Sequence, residues 1–290
     1  RPRIGDRTMN RQLLVLLVGA ALALPAAAQS FDLGSLLEAG KNLAQSESMG
    51  SMSEQQEVSI GRDVTASTLG SYPLIRDEKL QRKLNSVGLW VALQSTRPNL
   101  PWRFAAVESP AINAFAAPGG IVMITRGMLN AVSNEAELAC VIGHEVGHIT
   151  RKHHLTVLQN TLRTHGLANL AVAATSTSSQ NAELKKMLLN EGKEIFSKGL
   201  DRSAESEADS DGVLLAAKAG YDPGACLVFM QRLAAMKGDS NALAGLYKTH
   251  PSAADRATDI EADLKKLKGA TPGEGARPAF VASSGNGKKK

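Results

Sequence analysis

Aromatic side chains are scarce in this sequence. Phe, Tyr and Trp make up 4% of 290 residues, whereas 43% are hydrophobic. The core must therefore be largely aliphatic, which is ordinary for a helix-rich globular protein. Long apolar runs are also missing. Leu13–Leu24 holds about 12 apolar residues and Gly166–Ala174 about nine, against roughly 20 for a membrane span. A net positive charge is absent from the body of the chain. Of the formal +5, Arg1, Arg3, Arg7 and Arg11 against Asp6 supply +3, and Lys288–Lys290 supply another +3. The stretch between is near neutral and gives no basis for a nucleic-acid partner. Cysteine occurs only at 140 and 226, so no lipid-anchoring cysteine directly follows Leu13–Leu24. Cys140 falls in an apolar helical pattern, where a buried free thiol is the commoner outcome. Both cysteines are read as free thiols, although an exported compartment would permit a disulfide. No internal repeat is present.

What is present begins with an address. Met9-Asn10-Arg11, the apolar run 13–24 and Pro25-Ala26-Ala27-Ala28 have the layout of a secretory signal peptide cut after Ala28. The expected organisation is an upstream extension and signal peptide (1–28), a flexible lead-in (29–52), one enzymatic domain (53–268) and a disordered tail (269–290). Within the domain, Ser53 with Glu54 and Glu57 starts a helix running to about Leu69, and Asp77 starts another that stops near Ser95. Trp102–Glu108, Ile112–Ala116 and Ile121–Thr125 read as three short strands, the last two separated by the turn Pro118-Gly119-Gly120. Such a sheet offers a wall along which an extended peptide can pair. Asn113, Ala114 and Phe115 are the expected substrate-binding edge.

The chemistry centres on Cys140–His154, C-V-I-G-H-E-V-G-H-I-T-R-K-H-H. Residues four apart on a helix share a face, so His144 and His148 can aim imidazole nitrogens at one metal ion. Glu145, turned by about 100°, can flank the ion without binding it and take a proton from water. The flanks Leu138, Ala139, Val141, Ile142, Val146 and Ile149 make the helix apolar on most sides, so these polar groups are buried and need partners. Ser133 is read as the helix cap, with Glu135 and Glu137 in the first turn. The helix is expected to run to His153–Leu158. His154 stands where one metalloprotease class has its third histidine ligand. The glycine which that class needs to turn the chain is replaced by Arg151, so His153, His154 and His165 are read as a polar helix end. The missing third protein ligand is sought in D-R-S-A-E-S-E-A-D at 201–209. Glu205 can bind the metal, and Asp209, one turn on, can accept the N–H of a ligand histidine. Glu207 is read as surface charge. His250, in His250-Pro251-Ser252, precedes a last helix that carries Arg256.

With H-E-x-x-H at 144–148, E-x-x-x-D at 205–209, N-A-F-A at 113–116 before Pro118-Gly119-Gly120, T-H-P at 249–251 and Arg202, the chain resembles the M48 family of zinc metalloproteases. These are gluzincins related to Ste24 and to the heat-shock protease of the inner membrane. The likeness spans about 53–265 and is nearest the soluble exported bacterial branch, without internal spans or a tetratricopeptide array. The resemblance implies an α+β, mostly helical, zincin-like single domain with a small three-stranded sheet beside the metal-binding helix. It implies one Zn2+ per chain on His144, His148 and Glu205, Asp209 behind them, and His250 near the metal. His250 would either stabilise the oxyanion or occupy the open coordination position. The expected activity is a zinc endopeptidase, with Glu145 as general base, acting on unfolded or misassembled envelope proteins in the bacterial periplasm. Peripheral contact with the outer membrane or its assembly machinery goes with that job. Two rivals are a chaperone-like binding protein on the same fold and a zinc amidase acting on cell-wall peptides.

Overall fold

The computed structural model describes residues 53–164, 199–236, 240–250 and 253–267. The expected signal segment, lead-in and tail, the apolar stretch 166–174 and a helical pattern at 182–196 lie outside them. Helix α1 (Glu54–Leu69) and helix α2 (Glu78–Ala92) come first, then strands β1 (Arg103–Val107), β2 (Ala114–Ala117) and β3 (Ile121–Thr125). Helices α3 (Arg126–Ala131), α4 (Glu135–Thr150), α5 (His153–Thr164), α6 (Arg202–Lys218), α7 (Gly224–Ala235), α8 (Ser240–Thr249) and α9 (Ala253–Leu267) follow. Among the described residues no helix is long and apolar enough to cross a membrane. The fold is α+β and mostly helical, as expected.

Caps explain where the helices start. Ser53 and Gln56 form a reciprocal capping box on α1, and the Asp77 carboxylate accepts from the Leu80 N–H. For α4 the cap is Asn134 rather than Ser133: Asn134 Oδ1 accepts from the Glu137 N–H at 2.9 Å. The Ser133 hydroxyl is instead taken by Arg232 Nη1, at 2.6 Å. Helix α4 is also shorter than expected. It stops at Thr150, because Lys152 adopts φ 60° and turns the chain into α5.

The sheet has the order β1-β3-β2, with β1 parallel and β2 antiparallel to β3. Its two edges differ. Along β1, the Gln81 amide accepts from Ala106 N–H and donates to Ala106 C=O, both at 2.8 Å. Asn85 Oδ1 accepts from Phe104 N–H, and Ile75 N–H donates to Ala106 C=O. That edge is closed by side chains of α2 and by the segment before it. Edge strand β2 has no strand on its outer side among the described residues. Thr125 N–H donates to Asn113 C=O, and Phe115 lies opposite Met123. The alternate residues Ala114 and Ala116 therefore turn their backbone groups away from β3.

Two features tie the layers together. Glu57, fully buried on α1, accepts both guanidinium nitrogens of Arg97 at 2.8 and 2.9 Å and the Gly119 N–H at 3.1 Å. Gly119 and Gly120 have φ 74° and 103°, which suits glycine, and Val58 lies where a Gly119 side chain would go. Helices α4 and α6 meet through glycines. A Cβ on Gly143 would lie 3.0 Å from the Gly212 backbone, and one on Gly212 would lie 3.2 Å from Cys140 O and His144 N.

The free-thiol expectation fails. Cys140 on α4 and Cys226 on α7 form a disulfide, with Cα atoms 5.3 Å apart. The two helices pack side by side and bring both sulfurs into one apolar cluster with Val213, Ala216 and Ile260. The link closes a separation of 86 residues. Replacing both cysteines by serine, or reducing the bond, should lower unfolding free energy by about 2–5 kcal/mol, read from urea denaturation with and without reductant. Gly212→Val should cost about 1–3 kcal/mol by forcing α4 and α6 apart. It should also weaken metal binding, which isothermal titration of the metal-stripped protein would register.

Candidate metal centre

Helix α4 supplies His144 and His148, whose Nε2 atoms lie 2.9 Å apart. Two bare imidazole nitrogens at this distance repel unless a proton or a cation lies between them. Glu205 of α6 reaches them from the facing helix, 3.5 Å from each Nε2. His250, at the end of α8, places Nδ1 3.0 Å from both Glu205 oxygens and 3.3 Å from His144 Nε2. These four buried residues each offer one donor atom, and all the atoms lie within 4.8 Å of one another. An ion about 2.0–2.1 Å from four tetrahedral ligands sets those ligands roughly 3.3 Å apart. The spacing and the N/O donor set therefore fit a metal ion such as zinc.

The charges lead to the same conclusion. Glu145, Glu205 and Asp209 are buried together with one permanent cation, Arg256. Burial pushes the His148 imidazole well below its ordinary pKa, with His144 nearby adding to the shift, so it carries no charge at neutral pH. Glu205 and Asp209, both held below the usual carboxylate range, share Arg256, and a bound divalent cation would add positive charge that His148 does not supply.

Each donor is held from behind. His144 Nδ1–H donates to Asp209 Oδ1 at 3.0 Å, which leaves Nε2 bare toward the cluster. Arg256 holds Asp209 through two bonds of 2.6 and 2.7 Å and also approaches Glu205 Oε2 at 3.1 Å. Burial works against ionisation of Asp209, but the Arg256 guanidinium outweighs it and keeps the carboxyl well below the usual range. Glu205 is lowered too: burial raises it, and His250, which hydrogen-bonds it, together with Arg256 more than reverses that. Glu145 behaves differently. Burial raises its pKa, and its Oε2 is a buried oxygen with no hydrogen-bond partner. Its Oε1 lies 3.7 Å from His250 Nε2. An acceptor left open inside a cavity is what a proton-abstracting carboxylate requires.

The structure brings together His144, His148, Glu205, Asp209, Glu145 and His250. Ala114 lines the same cavity as His144, Glu145 and His250. Asn113 is buried with Oδ1 accepting from Ala114 N–H and lying 3.3 Å from the Thr249 hydroxyl, whose nearest acceptor is the Gly245 C=O at 3.0 Å. Phe115 packs on Tyr72, with ring centroids 5.3 Å apart. His154 stays outside the donor cluster, its pKa lowered to about 3 by burial. Two residues were missed. Arg256 is a lone arginine on an amphipathic helix, with no local signal of what it faces. His153 is brought beside His148 by the break at Lys152. Glu207 is held at the surface by Arg151, but it also approaches His153.

Comparison with known proteins agrees with this geometry. The chain is 27% identical over 271 residues to the beta-barrel assembly-enhancing protease of Escherichia coli K12, covering 90% of this chain and 54% of that protein. It is 31% identical over 184 residues to the mitochondrial metalloendopeptidase OMA1 of Arabidopsis thaliana, 63% of this chain and 36% of the relative. To the mitochondrial metalloendopeptidase OMA1 of Bos taurus it is 33% identical over 167 residues, 55% and 32% of the two chains. The chain thus spans about half the length, or less, of these curated relatives. The family model for Peptidase family M48 matches residues 78–263, which hold every donor of the cluster together with Glu145, Asp209 and Arg256, and the chain belongs to that family.

Proposed function

We propose that this protein is a zinc-dependent endopeptidase that binds one Zn2+ on His144, His148 and Glu205. The observation that carries the reading is the buried donor cluster with the unpartnered Glu145 oxygen beside it. When bound, zinc polarises a peptide carbonyl and makes water a nucleophile at neutral pH. Glu145 takes the proton of the attacking water and delivers it to the leaving amine. Asp209, backed by Arg256, keeps the His144 proton on Nδ1 and its Nε2 available. His250 Nδ1, beside Glu205 and His144, would compete with the attacking water for the ion these residues would hold. Its withdrawal frees the site, and its imidazole can then serve the developing oxyanion.

The outward backbone of Ala114 and Ala116 offers an extended peptide main-chain hydrogen bonds, except for the Ala114 N–H, which Asn113 Oδ1 already accepts, and Asn113 and Phe115 flank that edge. Such a site reads backbone more than sequence, which suits unfolded or misassembled proteins. Relatives named as beta-barrel assembly-enhancing proteases support quality control of envelope proteins in the bacterial periplasm, at or near the outer membrane or its assembly machinery. An open proton acceptor favours hydrolysis over chaperone-like binding, since binding alone has no use for it.

Glu145→Gln should hold one zinc and lose casein cleavage by roughly 10²–10⁴-fold. Equal cleavage by this variant would end the reading, and hydrolysis of purified cell wall but not casein would replace it with an amidase. Asp209→Asn should lower zinc affinity by about 10–100-fold, measured by chelator competition. His250→Ala should raise basal casein cleavage several-fold, whereas a loss would make His250 chiefly an oxyanion stabiliser.

A further inference from the structure

The two histidines of α4 are held from behind in different ways. His144 leans on a buried carboxylate, Asp209. His148 is fully buried, and its Nδ1 lies 2.9 Å from Nδ1 of His153. His153 Nε2 in turn lies 3.4 Å from Glu207 Oε2, and Arg151 Nη1 holds that same oxygen at 2.8 Å. The proton positions follow from the outer end inward. Nε2 of His148 faces the donor cluster and must be bare to bind a metal, so its proton sits on Nδ1. The hydrogen bond at 2.9 Å then requires a bare Nδ1 on His153, whose own proton sits on Nε2 and points to Glu207. The chain of hydrogen bonds ends on an exposed carboxylate. With His153 in place His148 has no accessible surface, so the partner of its Nδ1 is His153 and not bulk water.

We propose that His153 is the positioning residue of His148: its Nδ1 accepts the His148 Nδ1–H, fixing the tautomer and ring orientation that metal binding requires. This rests on the reading of the site as a zinc centre. The backbone supports the assignment. Had α4 continued, residue 153 would lie five places on and roughly 140° away from the face of His148. Lys152, with φ 60° the only non-glycine residue in the left-handed region among those described, turns the chain so that α5 begins with His153 against His148. Such a conformation costs a lysine free energy and persists where the surroundings hold it, often at functional sites.

The test compares His153→Ala, His153→Leu and His153→Asn with the wild type, all in the full chain stripped of metal. Asn keeps an acceptor at about the Nδ1 position, whereas Ala and Leu do not. Zinc dissociation constants come from competition with a chromophoric chelator, and thermal midpoints of the metal-free proteins report folding. Ala and Leu should weaken zinc binding about 10–100-fold with little change in the metal-free midpoint, and Asn should recover to within a few-fold. Unchanged affinity in His153→Ala overturns the proposal while leaving the zinc reading intact. Asn as weak as Leu, or losses that follow the metal-free midpoint, also overturn it by reducing His153 to packing. A wild type that binds no zinc removes the zinc reading and this proposal with it.

Discussion

The rest of the structure depends on how closely α4 and α6 approach. The donors come from both helices, two imidazoles from one and a carboxylate from the other, and they must converge within a few ångströms. Gly143 and Gly147 on α4 face Gly212 and Ala208 on α6, with built side-chain positions only 3.0–3.2 Å from the facing helix. Larger residues would widen the gap, and Glu205 and Asp209 would no longer reach His144 and His148. The small residues contribute little burial themselves, so the contact needs support around it. The Cys140–Cys226 bond ties α4 to α7 one turn before His144, and α9 closes the far side by inserting Arg256 between Glu205 and Asp209.

Bringing two acidic side chains to a buried helix face is costly, and each is answered by a specific neighbour. Asp209 is neutralised by Arg256 and given a structural task by His144. Glu205 has Arg256 on one side and the imidazoles on the other. Glu145 alone keeps an oxygen with no partner. Within one network, then, burial is compensated everywhere except at the atom that faces the cavity. Glu57 makes the contrast clear. It is equally buried but saturated by Arg97 and Gly119, and so locks α1 to the turn at 118–120.

The parts legible in the sequence are those governed by local periodicity. His144 and His148 share a face because they are four apart, and so do Glu205 and Asp209, so the two halves of the centre can be read off separately. Strand β3 and the turn before it are legible for similar reasons, since Pro118-Gly119-Gly120 marks the bend and I-V-M-I-T marks the strand. What escaped reading depends on distances between elements. Cys140 looks like any buried thiol until α7 is laid beside α4. Arg256 looks like a surface arginine until α9 is turned toward α6. Arg151 in place of a glycine suggests an unbroken helix, yet the break comes one residue later, at a lysine held in a conformation that tertiary contacts impose. His153 therefore reads as a polar helix end and is found instead against His148.

The sheet shows how a closed edge and an available one can coexist in three strands. On β1 the side-chain amides of Gln81 and Asn85 imitate a further strand, so nothing else can add there. On β2 the outward backbone belongs to alanines, whose small side chains let another chain come close, and Ala114 lies in the same cavity as Glu145. Asn113 lies between this edge and the helix end that carries His250, because its Oδ1 receives the Ala114 N–H and sits 3.3 Å from the Thr249 hydroxyl. A chain pairing with β2 would compete for that same Ala114 N–H. The β2 edge and the helix end before His250 thus come together at one buried asparagine.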